Sequence, residues 1–316
     1  MKNFLSNLRD NLYRPDHNET TGEVIFYRIF EFFIGYFVIW HAWVWGVYIP
    51  NLGEVMLPLG IANYIDISFM FNHWMGIGNA VLMTAAVLVG FFGRGKYAYT
   101  IAIILFHFHY AARFSQGEIS HGSNMVGAAL FSFAMAHLFF DEADKRRKFT
   151  LGTLIFFIGL GYVTAAFSKM IGTGLTWVDG RHMWLWLGER STDVLSQHGE
   201  FQFNILQEYM LQFRWLATII LTYGLIVEFL GWMFWYNKLR PYAATLLISM
   251  HIGILITMNI NFPKYVYIMV LLGYKWHFII DYFLEKYKGS RLTRFLEARF
   301  SPAHPDKVPI EETHPA

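Results

Sequence analysis

Lys169, Glu228 and His251 are the residues most suited to chemistry in this sequence, because each interrupts or ends a long apolar run. Ionisable groups are expensive inside a bilayer, so each invites a functional reading. Lys169 follows the apolar stretch GYVTAAF and Ser168. At such a mouth an ammonium is poorly solvated. Glu228, in LIVEFLGW, needs a partner or a proton. Structural alternatives stand beside these readings: a snorkelling lysine at a helix end, and histidines or a carboxyl hydrogen-bonded to neighbouring helices. His107 and His109 lie about 200° apart around a helix and cannot share one metal ion without distorting it. His121 and His137 are separated by about 24 Å along a helix. With no HxxxH pair and no cysteine, no metal site is expected, and thiolate, disulfide and Fe–S chemistry is excluded. GFFGRGK, from Gly90 to Lys96, has the spacing of a phosphate loop, but Tyr97 stands where Ser or Thr should bind magnesium.

The elements that position these groups are membrane helices. Of 316 residues, 55% are hydrophobic, 19% aromatic and only 15% charged, against about 25% charged in an ordinary soluble domain. The expected fold is all-α and polytopic, with about eight transmembrane helices, because a crossing needs about 20 apolar residues and must satisfy its own backbone. The runs extend from Val24 to Val47, Trp74 to Phe92, Tyr97 to Ala112, Asn124 to Phe140, Phe149 to Phe167, Phe213 to Trp235, Tyr242 to Met258 and Tyr265 to Phe283. With the N-terminus inside, 17 Lys and Arg fall in cytoplasmic segments and 5 outside. That bias predicts an N-in, C-in integral membrane protein.

On this topology His41, His107, His109, His121, Lys169 and His182 lie toward the outer leaflet, with Glu228 and His251 nearer mid-membrane. Two long outer loops, Tyr48 to His73 and Ser168 to Gln212, are expected to form an extracytoplasmic cap. The second holds HMWLWL, from His182 to Leu187, followed by an interfacial amphipathic helix over Ser191 to Met210. Residues 1–23 read as a cytoplasmic segment without a signal-peptide core, 24–283 as the transmembrane domain, and 284–316 as a basic, then Pro-rich cytoplasmic tail in contact with membrane lipids. A net charge of +2 gives no reason to expect nucleic acid.

Four stretches in order resemble one family. EVIFYRIFEFFIGYFVIW is similar to the opening helix of the HTTM (horizontally transferred transmembrane) domain, the membrane domain of vitamin K-dependent γ-carboxylases and their bacterial relatives. SHGSNMVGAALFSFAMAHLFFDEAD resembles the family helix that begins at a His and ends at an Asp. AAFSKMIGTGLTWVDGRHMWLWL resembles its Lys followed by a Trp-x-x-Gly loop, here Lys169, Trp177 and Gly180. LIVEFLGW through to Gly273-Tyr274 carries its Glu, His and Phe-Pro landmarks as Glu228, His251 and Phe262-Pro263. The likeness runs from about Glu23 to Phe283, with Ser168 standing where the carboxylases carry a second Lys.

The resemblance implies a reduced quinone as cofactor, menaquinone or vitamin K hydroquinone, deprotonated by Lys169 with His121 assisting. Oxygen then converts the quinol anion into a base strong enough to take a proton from carbon, before carbon dioxide adds. Trp177 and Gly180 would shape the cofactor site, and Glu228 and His251 would form a polar layer beneath. Two functions follow from these residues. One is an HTTM-type enzyme that modifies a secreted peptide or protein, a lipid or a small molecule at the outer face. The other is a non-catalytic membrane subunit that matures, exports or protects a secreted partner.

Overall fold

A computed structural model describes residues 2–13, 19–52, 56–117 and 121–302 of the chain. These form thirteen α-helices: α1 (Lys2–Tyr13), α2 (Thr21–Tyr48), α3 (His73–Phe91), α4 (Ala98–Ser115), α5 (His121–Phe139), α6 (Ala143–Thr173), α7 (Gly180–His198), α8 (Ile205–Gln212), α9 (Arg214–Phe229), α10 (Arg240–Met258), α11 (Pro263–Gly273), α12 (Trp276–Lys286) and α13 (Arg291–Phe300). No strand occurs among the described residues. Among the described residues six stretches are long and apolar enough to cross a membrane: Thr21–Asn51, His73–Phe91, Gly122–Phe139, Ala143–Val178, Arg214–Trp235 and Arg240–Met258. The chain is thus an integral, all-α membrane protein.

Two of the eight expected runs take other forms. The third is present as α4, whose 18 residues include His107, His109 and Arg113, which lower its apolarity. The eighth is divided into α11 and α12, of 11 residues each, at an extended Tyr274 (φ −115°, ψ 154°). The break has a local cause. Gly273 is a weak helix former, and it packs so closely on α10 that any Cβ would collide with Ala244. The Tyr274 hydroxyl then lies 2.9 Å from Thr245 Oγ1.

Helix ends follow their sequence signals. Thr20 and Glu23 form a reciprocal box at the start of α2, the Glu23 amide donating to Thr20 Oγ1 and the Thr20 amide to the Glu23 carboxylate. The region from His182 to Met210 departs from expectation: HMWLWL lies within α7, and Ser191 to Met210 is not one helix. Gly199, at φ 78°, ends α7 in the left-handed conformation that glycine adopts without strain. Asn204 and Gln207 then start α8 with a second capping box.

The chain divides into two compact units, one holding α1 and Phe32–Tyr274, the other the first part of α2 and the residues from Lys275 onward. In the second unit Asp281 on α12 accepts hydrogen bonds from Thr20 Oγ1 (2.7 Å) and the Gly22 amide (2.8 Å). In the first, α6 packs through glycine contacts against the short 3₁₀ segment Leu230–Trp235 that continues α9. Gly231 lies so near Tyr162 that a Cβ would stand 2.7 Å from the Tyr162 Cβ, and the Trp235 indole fills the space beside Gly159 while donating to the Phe156 carbonyl at 3.1 Å. Such contacts let membrane helices approach closely. They set the register in which Lys169 of α6 meets Glu228 of α9.

Candidate functional site

Along α6, Tyr162 and Lys169 are seven residues apart, two turns on one face. That face borders a cavity of about 540 Å³ closed by α5, α7, α9, α10 and the start of α11. Lys169 forms an ion pair with Glu228 of α9, its ammonium reaching both carboxylate oxygens. Trp177, in the short 3₁₀ segment after α6, places its ring 4.7 Å from the Lys169 nitrogen, so the cation has a carboxylate on one side and a π face on another. Opposite, the Tyr162 hydroxyl lies 2.6 Å from His251 Nε2 and 3.5 Å from Met269 Sδ. His251 is wrapped by the rings of Phe262 (5.2 Å) and Tyr265 (5.5 Å). All of these except Met269 line the cavity, whose other walls are mainly apolar, with Met125, Met183, Trp186 and Ile254 among them.

Lys169, Trp177, Glu228 and His251, singled out in the sequence, therefore meet around one space. Glu228 is not in a layer beneath Lys169 but is its direct partner. Gly180 does not line the cavity. It stands where α7 crosses α9: its amide donates to Thr218 Oγ1 at 2.9 Å, and a side chain there would collide with the Arg214 carbonyl. Its part is to let α7 sit on α9, and through α7 to seat Trp186 against Trp177, centroids 5.7 Å apart. The backbone places His121 at the start of α5, one turn before Met125; its side chain lies outside the described residues.

Beside Gly180, Asp179 caps α7 by accepting from the Arg181 amide (3.0 Å) and pairs with the side chains of Arg181 and Arg214. Hydrogen bonds from Arg181, reinforced by Arg214, hold its carboxyl well below the usual carboxylate range. Farther along, α8 is tied to the end of α10 by Asn204 Nδ2 donating to the Ile256 carbonyl (2.8 Å) and Gln207 Nε2 donating to the Thr257 carbonyl (3.1 Å). A buried cluster of Met183, Leu187, Met210, Leu221 and Met258 joins these helices.

Comparison with known protein families, with curated proteins and with solved structures finds no match.

Chemical meaning must therefore come from the site. Among the described residues no group of three His, Asp or Glu is placed to hold a metal ion. What the cavity offers is an apolar volume with a polar end, a lysine–glutamate ion pair at that end, and a phenol–imidazole pair across from it. Tyr162 was absent from the sequence reading. Its signal was the two-turn spacing from Lys169 on one helix face, which singles out a residue only once that face is known to border a cavity.

Proposed function

We propose that the cavity receives the ring of a reduced quinone and that Lys169, with Glu228, takes a proton from it. The observation that carries this reading is the Lys169–Glu228 pair at the polar end of an apolar cavity of about 540 Å³, within the range of sites that bury small organic ligands. The residues fit such a group: apolar walls suit an aromatic ring and isoprenoid tail, and the polar end suits its hydroxyl. A bound quinol would supply reducing electrons and an acidic hydroxyl. The chain's own task is to prepare the base. In apolar surroundings a separated ion pair loses much of its solvation, so shifting one proton from the Lys169 ammonium to the Glu228 carboxylate gives a neutral amine and a carboxylic acid. The amine then accepts the ligand's proton, with its position held by the Trp177 face. Tyr162, two turns along α6 from Lys169, and its partner His251 on the opposite wall would hydrogen-bond an oxygen at the far side of the ring.

In this reading the chain is an HTTM-type enzyme of a bacterial inner membrane. About eight crossings leave both ends inside, α7 and α8 cap the outer mouth, and a secreted peptide, lipid or small molecule is modified there with oxygen or carbon dioxide. The completeness of the Lys169–Glu228 pair favours the second reading, a non-catalytic subunit serving a secreted partner, because a salt bridge between two helices needs no ligand to be satisfied.

The test is incubation of detergent-purified protein with reduced menaquinone or vitamin K under air, with quinone epoxide followed by mass spectrometry. Protein-dependent epoxide that falls at least about 100-fold in Lys169→Ala, as expected on loss of a general base, supports the enzyme. Folded wild type without epoxide, or full activity in both Lys169→Ala and Lys169→Arg, overturns it.

A further inference from the structure

A second lysine stands apart from this cavity, with a different kind of partner. Lys264, at the second position of α11, lies 2.7 Å from His41 Nε2. His41 is 1% exposed, and its Nδ1 is 2.7 Å from the Phe37 carbonyl one turn back along α2. A carbonyl only accepts, so Nδ1 carries the proton and Nε2 offers Lys264 a lone pair. The ammonium also sits over the Trp40 ring at 4.2 Å. Among the described residues no carboxylate pairs with Lys264, so its partners orient the charge without cancelling it. A further feature adds positive potential. Phe262 caps α11 without a side-chain acceptor, so the positive end of the helix dipole faces the same place.

Surroundings indicate what meets this charge. Tyr36, Trp40 and Trp43 form an exposed aromatic stripe on α2, with Tyr48 exposed at its end. Tryptophan and tyrosine gather at headgroup depth, where one edge of the ring is apolar and the other wet. A cation held by neutral groups at that depth attracts the anionic part of a lipid, and a lysine ammonium binds phosphate as a point charge.

We propose that Lys264, oriented by His41 and Trp40, binds the phosphate of an anionic phospholipid at the end of α2. This inference is independent of the quinol reading. Free phosphate shares the same chemistry; the aromatic stripe, which an acyl chain would cover, selects the lipid.

The experiment titrates the detergent-purified full chain with phosphatidylglycerol, phosphatidylcholine or inorganic phosphate and counts bound adducts by native mass spectrometry. Phosphatidylglycerol should bind in preference to phosphatidylcholine, and roughly fivefold more weakly to Lys264→Gln, the loss of one cationic contact. Lys264→Arg should keep the binding, and Trp40→Leu, which leaves the cation in place, should weaken it about threefold. Equal phosphatidylglycerol occupancy in wild type, Lys264→Gln and Trp40→Leu overturns the site. Phosphate adducts with no preference for phosphatidylglycerol over phosphatidylcholine overturn the lipid as its occupant.

Discussion

Lys169 and Lys264 both stand among apolar helices, the first against the Glu228 carboxylate and the second against the His41 imidazole. Each also rests on a tryptophan face. The difference lies in the net charge of the pair. Lys169 and Glu228 sum to zero, and moving one proton leaves two neutral groups, so the pair can sit beside an apolar cavity and still exchange protons. Lys264 and a neutral His41 sum to +1, and that charge must be answered from outside the pair. On the proposals made above, one arrangement serves proton transfer and the other holds an anion.

The largest expected effect breaks the compensated pair. Lys169→Gln leaves Glu228 buried without a counter-charge and should cost about 3 kcal/mol, while the double variant Lys169→Gln/Glu228→Gln should recover most of it. Thermal unfolding in detergent measures both, and equal stability of wild type and Lys169→Gln would remove the basis for calling the pair compensated. Lys264→Gln should cost less, about 1 kcal/mol, because it strands a neutral imidazole and not a charge; a loss as large as that of Lys169→Gln would collapse the contrast.

The smallest effect depends on pH and sharpens the picture around α7. Asp179 has its folded-state value depressed by Arg181 and Arg214. Its contribution is therefore complete above the unfolded carboxylate value of about 3.9 and fades as pH falls toward the folded one. The gap in unfolding temperature between wild type and Asp179→Asn should be widest near pH 6 and shrink below about pH 4. A gap that widens on acidification contradicts the ion-pair account.

Much of this architecture was legible because lipid imposes a simple rule of length and apolarity, and six of the expected runs obey it. The rule fails where one residue decides. Gly273 and Lys275 each look tolerable in an apolar run, and only the close approach of Gly273 to Ala244 turns them into a helix break. Gly199 likewise divides a stretch that reads as one amphipathic helix, because its positive φ is invisible in the sequence. At the site, Lys169, Glu228, His251 and Trp177 stood out by the cost of their chemistry or by resemblance. Their pairing did not, since Lys169 and Glu228 are 59 residues apart and meet through the packing of Gly159 and Gly231. Gly180 stood out too, but for a helix contact and not for the cavity.

The length of α6 carries a further consequence. Its first six residues, Ala143 to Lys148, are mostly charged, and the apolar stretch from Phe149 to Phe167 extends about 28 Å, close to a typical hydrocarbon core. Lys169 lies two residues beyond that stretch, so its depth follows the local thickness of the bilayer. A thinner bilayer is expected to leave the ammonium closer to water, and a thicker one to draw it toward the acyl chains. Bilayer thickness thereby becomes a control on how far water reaches the pair, acting without any ligand.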